Sequence, residues 1–312
     1  MNREKSGVAV VLPAYRSSRF LGDALESLFA QSLPPDEIIV VDDGSPEDEE
    51  GVVRPYLDRV SYVRTENRGP GAARNLGVSL THSPLVAFLD ADDLWEPQKL
   101  QAQVAYLRER PGCLLVGADA WEFGEGVPLR RWSRQGGRKG APRLDLASLI
   151  AGNGLPTLTV MLRREAFERV GGFDEDRELI AVEDYDLWLR LAELGERTGA
   201  FLGYVDEPLA RYRRRGASLS GAERFLHGVS RVLDLLVRRN PGRPEILSLA
   251  RRRRAGLYLD YARELQDRGS LLASFQAIQK SLALAPSDLK AWKLIGRGCL
   301  YRFHGRRNSE KS

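Results

Sequence analysis

The chain has 312 residues, of which 43% are apolar and 29% charged, with a formal net charge of +4. That is enough chain for a large core and about two domains, and the composition excludes a collagenous, disordered or low-complexity protein. Its two cysteines, Cys113 and Cys299, exclude a disulfide framework and a cysteine-based zinc site.

No apolar run approaches about 18 residues, so no transmembrane helix is expected. No signal-peptide pattern precedes the first strand, which makes the cytoplasm the expected compartment. Val8-Ala9-Val10-Val11-Leu12 reads as a strand closed by Pro13, which lacks a ladder donor. After Ala14-Tyr15-Arg16, Ser17 or Ser18 can cap a helix with Phe20, Leu21, Ala24, Leu25, Leu28 and Phe29 on one stripe. Pro34-Pro35 stops it. Glu37 to Val41 is a second strand ending in Asp42-Asp43-Gly44-Ser45. A third, Val60 to Arg64, leads through Asn67-Arg68-Gly69-Pro70-Gly71 into a small-residue helix reaching about Leu80.

The fourth strand, Leu85 to Leu89, runs into Asp90-Ala91-Asp92-Asp93. Aspartates are poor strand residues, so the acids should sit at the strand's carboxyl end, the edge of an open α/β sheet where ligands bind. Three close carboxylates repel unless a cation or ligand donors neutralise them. Taken alone, one Asp-x-Asp is more simply a solvated turn. Strands alternating with helices predict a Rossmann-like α/β fold, a mostly parallel sheet with helices on both faces. Three successive strands then carry unusual chemistry at one edge: Pro13-Ala14-Tyr15, Asp42-Asp43 and Asp90 to Asp93.

A helix is expected from Pro97 to about Arg110, then a fifth strand over Cys113 to Asp119. Residues 124–143 carry Arg130, Arg131, Arg134, Arg138, Lys139 and Arg143, a basic loop that is either a lid or a solvated excursion. A strand over Thr157 to Arg163, a short helix and the turn Gly171-Gly172-Phe173-Asp174-Glu175 follow. Glu183-Asp184-Tyr185-Asp186-Leu187-Trp188 opens a helix whose first-turn acids suit its dipole. Two strand-like segments, Phe201 to Val205 and Leu209 to Arg213, close a domain over residues 1–220.

Residues 221–312 read as an all-helical appendage, with Val229, Val232, Leu233, Leu236 and Val237 on one stripe and a break at Asn240 to Pro244. Ser274, Ile278, Ser281, Leu282, Pro286, Ala291 and Trp292 faintly echo a single tetratricopeptide-like hairpin, with no second copy visible. His304 to Ser312 reads as a polar tail.

Two chemistries compete for the acidic edge. In one, a divalent cation joins Asp90, Asp92 and Asp93 to a nucleotide diphosphate, Tyr15 stacks on a base, Asp43 accepts from a base N–H, and Arg68 and Arg74 meet phosphate beside a helix N-terminus. In the other, Gly69-x-Gly71-x-x-Arg74 with Asp90 downstream is a dinucleotide fingerprint. That motif lacks its third glycine, follows the third strand, and leaves Asp42-Asp43, Asp92 and Asp93 unexplained.

Val10-Val11-Leu12-Pro13-Ala14-Tyr15, Val40-Val41-Asp42-Asp43-Gly44-Ser45, Asn67-Arg68-Gly69 with Ala73-Arg74-Asn75, and Phe88 to Asp93 match, in order, motifs of inverting family 2 glycosyltransferases. Gly171 to Glu175 and Glu183-Asp184-x-x-Leu187-Trp188-x-Arg190 continue the match, over roughly residues 6–215. The resemblance implies the GT-A fold and a metal-dependent, inverting transfer of sugar from a nucleotide diphosphate donor, usually a UDP-sugar, to a glycan or lipid-linked glycan.

Position by position, it implies that Pro13, Ala14, Tyr15 and Asp43 form the nucleobase pocket. Asp90, Asp92 and Asp93 form the acidic signature, with Asp92 and Asp93 toward a magnesium or manganese ion, and Arg68 or Arg74 attends the diphosphate. Asp184 stands as general base, with Glu183 and Trp188 positioning it or touching the acceptor. Many relatives carry Tyr-Arg-x-His after the last strand, whereas Tyr212-Arg213-Arg214-Arg215 puts Arg215 at the histidine's place. An arginine cannot ligate metal but can grip phosphate, so Arg215 is expected to bind the donor. His82, His227 and His304 lie outside every motif.

A nucleotide-binding scaffold without turnover and a nucleotidyltransferase are the rival functions. The arginines from Arg211 through Arg231, Arg238, Arg239 and Arg243 to Arg251–Arg254 carry no aromatic-interleaved nucleic-acid motif. They suit a solvated face or peripheral contact with anionic headgroups on the inner face of the membrane.

Overall fold

The structure, a computed structural model, describes residues 6–132, 143–214 and 221–294. Two compact units divide the chain: Met1–Leu149 with Asn153–Ser218, and Ile150–Gly152 with Leu219–Ser312. The elements run β1 (Val8–Ala14), α1 (Ser18–Phe29), β2 (Glu37–Asp42), α2 (Glu49–Val53), β3 (Ser61–Arg64), α3 (Pro70–Ser79), β4 (Leu85–Phe88) and β5 (Leu94–Trp95). They continue with α4 (Lys99–Glu109), β6 (Cys113–Gly124), β7 (Val127–Arg131), β8 (Arg143–Leu144), α5 (Leu146–Ala151), β9 (Met161–Arg163), α6 (Arg164–Arg169), α7 (Glu183–Thr198) and β10 (Phe201–Arg213).

The sheet order is β3-β2-β1-β4-β9-β6-β10-β5, with β7 on β6 and β8 on β10. The chain thus forms the expected α/β fold. β1 pairs in parallel with β2 and β4, β2 with β3, and β6 with β10. Both faces of β1 are buried, as its near-continuous Val/Ala run requires. Val8, Val10 and Leu12 share a core with Leu21, Ala24, Leu25 and Leu28 of α1. Val11, facing the other way, meets α3 at Gly77, where a Cβ would lie 2.3 Å from its Cγ1. Only glycine lets α3 pack that closely on the sheet.

Four local expectations are corrected. Pro13 does not close β1, which runs through it to Ala14. The even residues of β1 bond toward β2, as the Ala14 carbonyl does with the Asp43 N–H, and the odd ones toward β4, as the Val11 carbonyl does with the Leu89 N–H. A donor at Pro13 would point toward β4, whose pairing with β1 ends at Val11, so the missing N–H falls on the β4 side while the β2 ladder runs on to Ala14.

Thr157 to Arg163 is not one strand but a 3-10 turn, Thr157–Thr159, followed by β9, which is inserted antiparallel between β4 and β6. The two segments 201–205 and 209–213 are the single strand β10, with a register shift near Pro208. β6 outruns its expected end at Asp119 and turns into β7, so the basic loop begins as a hairpin. Arg134, Arg138 and Lys139 lie outside the described residues.

In the second unit α8 (Ala222–Arg239) buries Leu226, Val229, Val232, Leu233 and Leu236. α9 (Pro244–Asp267) and α10 (Leu271–Leu284) form a hairpin sealed by Leu259, Ala262, Ala277 and Ile278. The Ser274 and Ser281 hydroxyls donate to the Ala262 and Ala255 carbonyls, satisfying themselves inside that seam. No helix among the described residues is long and apolar enough to cross a membrane.

Candidate active site

The loops after β1, β2 and β4 lie at one edge because their strands are parallel neighbours. After β1, Tyr15 is 44% exposed. Arg16 takes φ 51°, in the left-handed region, and its N–H donates to the Ser45 hydroxyl at 3.0 Å. After β2, Asp42 is buried and accepts from the Tyr62 hydroxyl, the Ser45 N–H and the Arg64 guanidinium.

Asp43 accepts from the N–H groups of Arg68 (2.8 Å) and Gly69 (2.9 Å), tying β2 to the loop that opens α3. Burial pushes its carboxyl up, with those two N–H groups opposing. Gly71 packs inside the protein: a Cβ there would sit 3.1 Å from the Asp174 carbonyl. A dinucleotide fingerprint would need that glycine facing a pyrophosphate, so the close packing removes its rationale.

The acidic turn is strapped down from β10. The Arg213 N–H donates to Asp93 Oδ1 at 2.6 Å, and its Nε donates to the Asp92 carbonyl at 2.6 Å. Asp93 is buried, and its Oδ2 has no hydrogen-bond partner among the described residues. Burial first, then the charges of Asp92 and Asp90, drive its carboxyl well above the usual range. Burial, then Asp93 and Asp90, also push the Tyr212 phenol up to about 12, so it stays a neutral hydroxyl at pH 7.

One guanidinium joins this turn to α7. Arg74, buried on α3, donates from Nη2 to Asp90 Oδ1 at 2.6 Å and from Nη1 to Glu183 Oε1 at 2.7 Å. Glu183 uses its other oxygen to accept from the Ala181 N–H at 2.7 Å, and Ala181 is held at φ 80°.

The neighbouring Asp184 is gripped by two groups the sequence did not single out. Asn153 Nδ2 donates to Oδ1 at 3.1 Å and the Thr157 hydroxyl to Oδ2 at 2.8 Å. Burial, then the charge of Glu183, push the Asp184 carboxyl up to about 7, against the pull of Thr157 and Arg74. Both partners stand on the irregular stretch between α5 and β9. An Asn-Gly-x-Pro turn signal marks that stretch as a loop but says nothing of what its side chains face.

Trp188 lies deeper than its motif implies. Trp188 is wholly buried, its indole N–H bonded to the Leu155 carbonyl and its ring edge-on to Phe173 at 6.3 Å. It cannot touch an acceptor, and whatever it positions it positions through the loop that carries Asn153 and Thr157. Arg68 pairs with Glu175, which also accepts from Asn75, so the Gly171 to Glu175 turn is fastened to α3. Arg215 lies outside the described residues.

Among the described residues no three His, Cys, Asp or Glu side chains gather as a metal cage. The orphaned Asp93 oxygen beside Asp92 still fits a hard cation that takes one or two carboxylates and completes its shell with ligand oxygens, the usual habit of magnesium.

Known proteins resemble this chain in sequence and in fold. The sequence profile described as Glycosyl transferase family 2 matches residues 9–171. An uncharacterized glycosyltransferase of Rickettsia prowazekii is 28% identical over 197 residues, covering 59% of this chain and 58% of the relative, so the match spans under two thirds of that relative's length. The succinoglycan biosynthesis protein ExoU of Rhizobium meliloti is 31% identical over 242 residues, 70% of this chain and 65% of the relative. Among solved structures, S. aureus TarS residues 1–349 in complex with UDP-GlcNAc superposes with a TM-score of 0.66 at 19% identity, over 93% of this chain and 88% of that one.

Proposed function

The chain belongs to glycosyl transferase family 2, and from that premise we propose that its first unit transfers a sugar from a UDP-sugar to a hydroxyl of a glycan or lipid-linked glycan, inverting the anomeric carbon. The observation that carries this reading is the chain Asp90–Arg74–Glu183, which joins the acidic turn to the helix end bearing Asp184. A donor site and a proton acceptor are thereby fixed to one another by a buried cation.

Tyr15 and the Asp43 loop receive the nucleoside. Asp92 and Asp93 would hold a divalent cation, which supplies Lewis-acid stabilisation to the departing diphosphate. Asp184 takes the proton of the attacking acceptor hydroxyl. A carboxylate with a pKa about 7 is well matched to that work near neutral pH. Thr157 and Asn153 hold its two oxygens as neutral donors, so the carboxylate is oriented without being locked in an ion pair. Arg74 keeps Asp90 and Glu183 in register and acts through them.

A relative named for succinoglycan biosynthesis supports a polysaccharide acceptor. In the second unit Arg224, Arg238, Arg239, Arg251 and Arg252 are exposed on α8 and α9, which supports a cytoplasmic enzyme touching anionic lipid at its surface. Vesicle co-sedimentation that survives high salt would remove that electrostatic contact from the reading.

The test is product analysis with UDP-sugars and manganese. Release of UDP with a new glycosidic product supports the proposal. Formation of a UDP-sugar and pyrophosphate from UTP and a sugar 1-phosphate instead makes the protein a nucleotidyltransferase, and donor binding without turnover makes it a scaffold.

A further inference from the structure

β6 and β10 begin at the end of the sheet opposite the acidic turn, because β9 is antiparallel to both β4 and β6 and sets Leu115 level with Val86 near the start of β4. Between those strand starts and the end of α4 lies a cavity of about 430 Å³ lined by Tyr106, Arg110, Pro111, Gly112, Arg143 and Phe201. Nothing in the proposed reaction uses it. Two glycines shape it. A Cβ at Gly203 would be 2.6 Å from the Tyr106 ring, so the bare backbone of β10 is what seats that ring as a floor. At Gly112 a Cβ would meet only Phe201, at 3.8 Å, so the space beside it is open.

Both arginines lie over aromatic rings. Arg110 is 4.2 Å from the Tyr106 centroid and Arg143 is 4.1 Å from that of Phe201. Stacking fixes a guanidinium while leaving its in-plane N–H groups free for a planar oxyanion. Arg110 shares one of them with Glu109 at 2.8 Å, whereas no carboxylate pairs with Arg143 among the described residues. The ligand class follows from what surrounds the two cations. A phosphate dianion would want a helix N-terminus or a backbone nest, but this cavity sits at the carbonyl end of α4 beside Glu109, where concentrated negative charge is disfavoured. A single delocalised carboxylate on a ring with apolar faces suits two stacked guanidiniums, Pro111 and two aromatic rings.

We propose that this cavity binds an acidic sugar unit, its carboxylate between Arg110 and Arg143 and its ring against Phe201 and Tyr106, and so holds a remote stretch of an acidic glycan acceptor. The acceptor role rests on the glycosyl-transfer reading; the binding site does not. The full chain is titrated calorimetrically with a tetramer of galacturonate, with maltotetraose and with inorganic phosphate, each with and without saturating UDP. The galacturonate tetramer binds in both conditions and the other two do not. Arg143→Ala and Gly112→Glu each weaken it about tenfold or more at unchanged thermal midpoint. Arg110→Gln substitutes for Gly112→Glu if the latter lowers that midpoint.

No binding of the tetramer, equal binding of phosphate or maltotetraose, displacement by UDP, or retention in the variants overturns the site. The activity arm is separate: Arg143→Ala leaves transfer to a short neutral acceptor unchanged. If wild-type protein releases no UDP while still binding the tetramer, the catalytic reading fails and the cavity stands.

Discussion

The turn after β4 and the first turn of α7 each bury an aspartate whose proton is held above the usual carboxylate range, and in both burial is the leading cause. They differ in what meets the oxygens. Asp93 has one oxygen on the Arg213 N–H and the other on nothing among the described residues, whereas both oxygens of Asp184 meet neutral side-chain donors. An orphaned buried oxygen is costly unless something charged arrives to use it. A carboxylate held by two neutral donors at a pKa about 7 can take and release a proton without losing its place. On the proposed reading the same residue type serves a cation at one point and proton transfer at the other, and Arg74 spans the two regions.

The sharpest test of that division is Asp184→Asn. Transfer should fall by about 10²–10⁴, the range of a lost general base, while calorimetric UDP affinity stays that of the wild type. Equal turnover, or donor binding lost in parallel, would break the comparison. The stability sign is fixed by linkage. The folded carboxyl holds its proton to about pH 7, whereas the unfolded one releases it near pH 4, roughly the reference value. The stability it contributes is therefore full below about pH 4 and is lost as pH rises through about 7. The thermal midpoint of Asp184→Asn should accordingly gain on wild type between pH 5 and pH 8.

Next in size is the bridge. Arg74→Ala leaves Asp90 and Glu183 without their shared cation, and removing one partner of a buried ion pair costs about 3–5 kcal/mol. The urea midpoint should fall with the slope unchanged. Arg74→Lys keeps the charge but loses the two-pronged span, so it should fall between the two. A loss under about 1 kcal/mol, the worth of an exposed pair, would mean the two regions are held together by something else.

The edge that the proposal gives to the donor was far more legible in the sequence than the α7 end it gives to the acceptor. Asp43, Asp90, Asp92 and Asp93 follow strands whose apolar runs announce themselves, so the parallel sheet brings them to one edge by topology alone. Pro13 ends only one of the two ladders of β1, because its missing N–H faces β4 and not β2, and which neighbour it faces is a tertiary fact. Asp184 was legible as a first-turn acid, and the family pattern named it. Its partners were not legible, because Asn153 and Thr157 lie on a loop whose path is set by Trp188, Leu155 and the antiparallel insertion of β9. Trp188, expected to position the base or touch the acceptor for its place in a motif, is wholly buried, which leaves it only an indirect part behind the loop that bears Asn153 and Thr157. The cavity at the opposite end has no single linear signature, since its residues come from α4 and the turn that follows it, β8 and β10.

A subtler change probes the Asp184 grip itself. The Thr157 hydroxyl stabilises the ionised carboxylate and holds its pKa down. Thr157→Val keeps the branched shape and removes the donor, so the acid limb of the rate profile should move to higher pH, with the plateau at high pH lowered less than the rate at pH 6. A limb that moves to lower pH would mean that the hydroxyl favours the protonated form, and the contrast with Asp93 would have to be redrawn.

The smallest expected effect isolates the backbone that presents α7. Ala181 sits at φ 80°, where an L-residue is disfavoured by roughly 1–2 kcal/mol, and the Glu183 carboxylate bonds its N–H. Glycine removes the Cβ penalty but adds freedom to the unfolded chain, so Ala181→Gly should stabilise by only about 0.5–1 kcal/mol. Its effect on turnover separates two roles for this conformation. If glycine leaves kcat unchanged, the bond to Glu183 alone fixes the helix start, and the left-handed residue is simply the route the chain takes to reach it. If kcat falls while stability rises, the stiffness of alanine is part of how Asp184 is aimed, and the α7 end, unlike the β4 turn, trades stability for orientation.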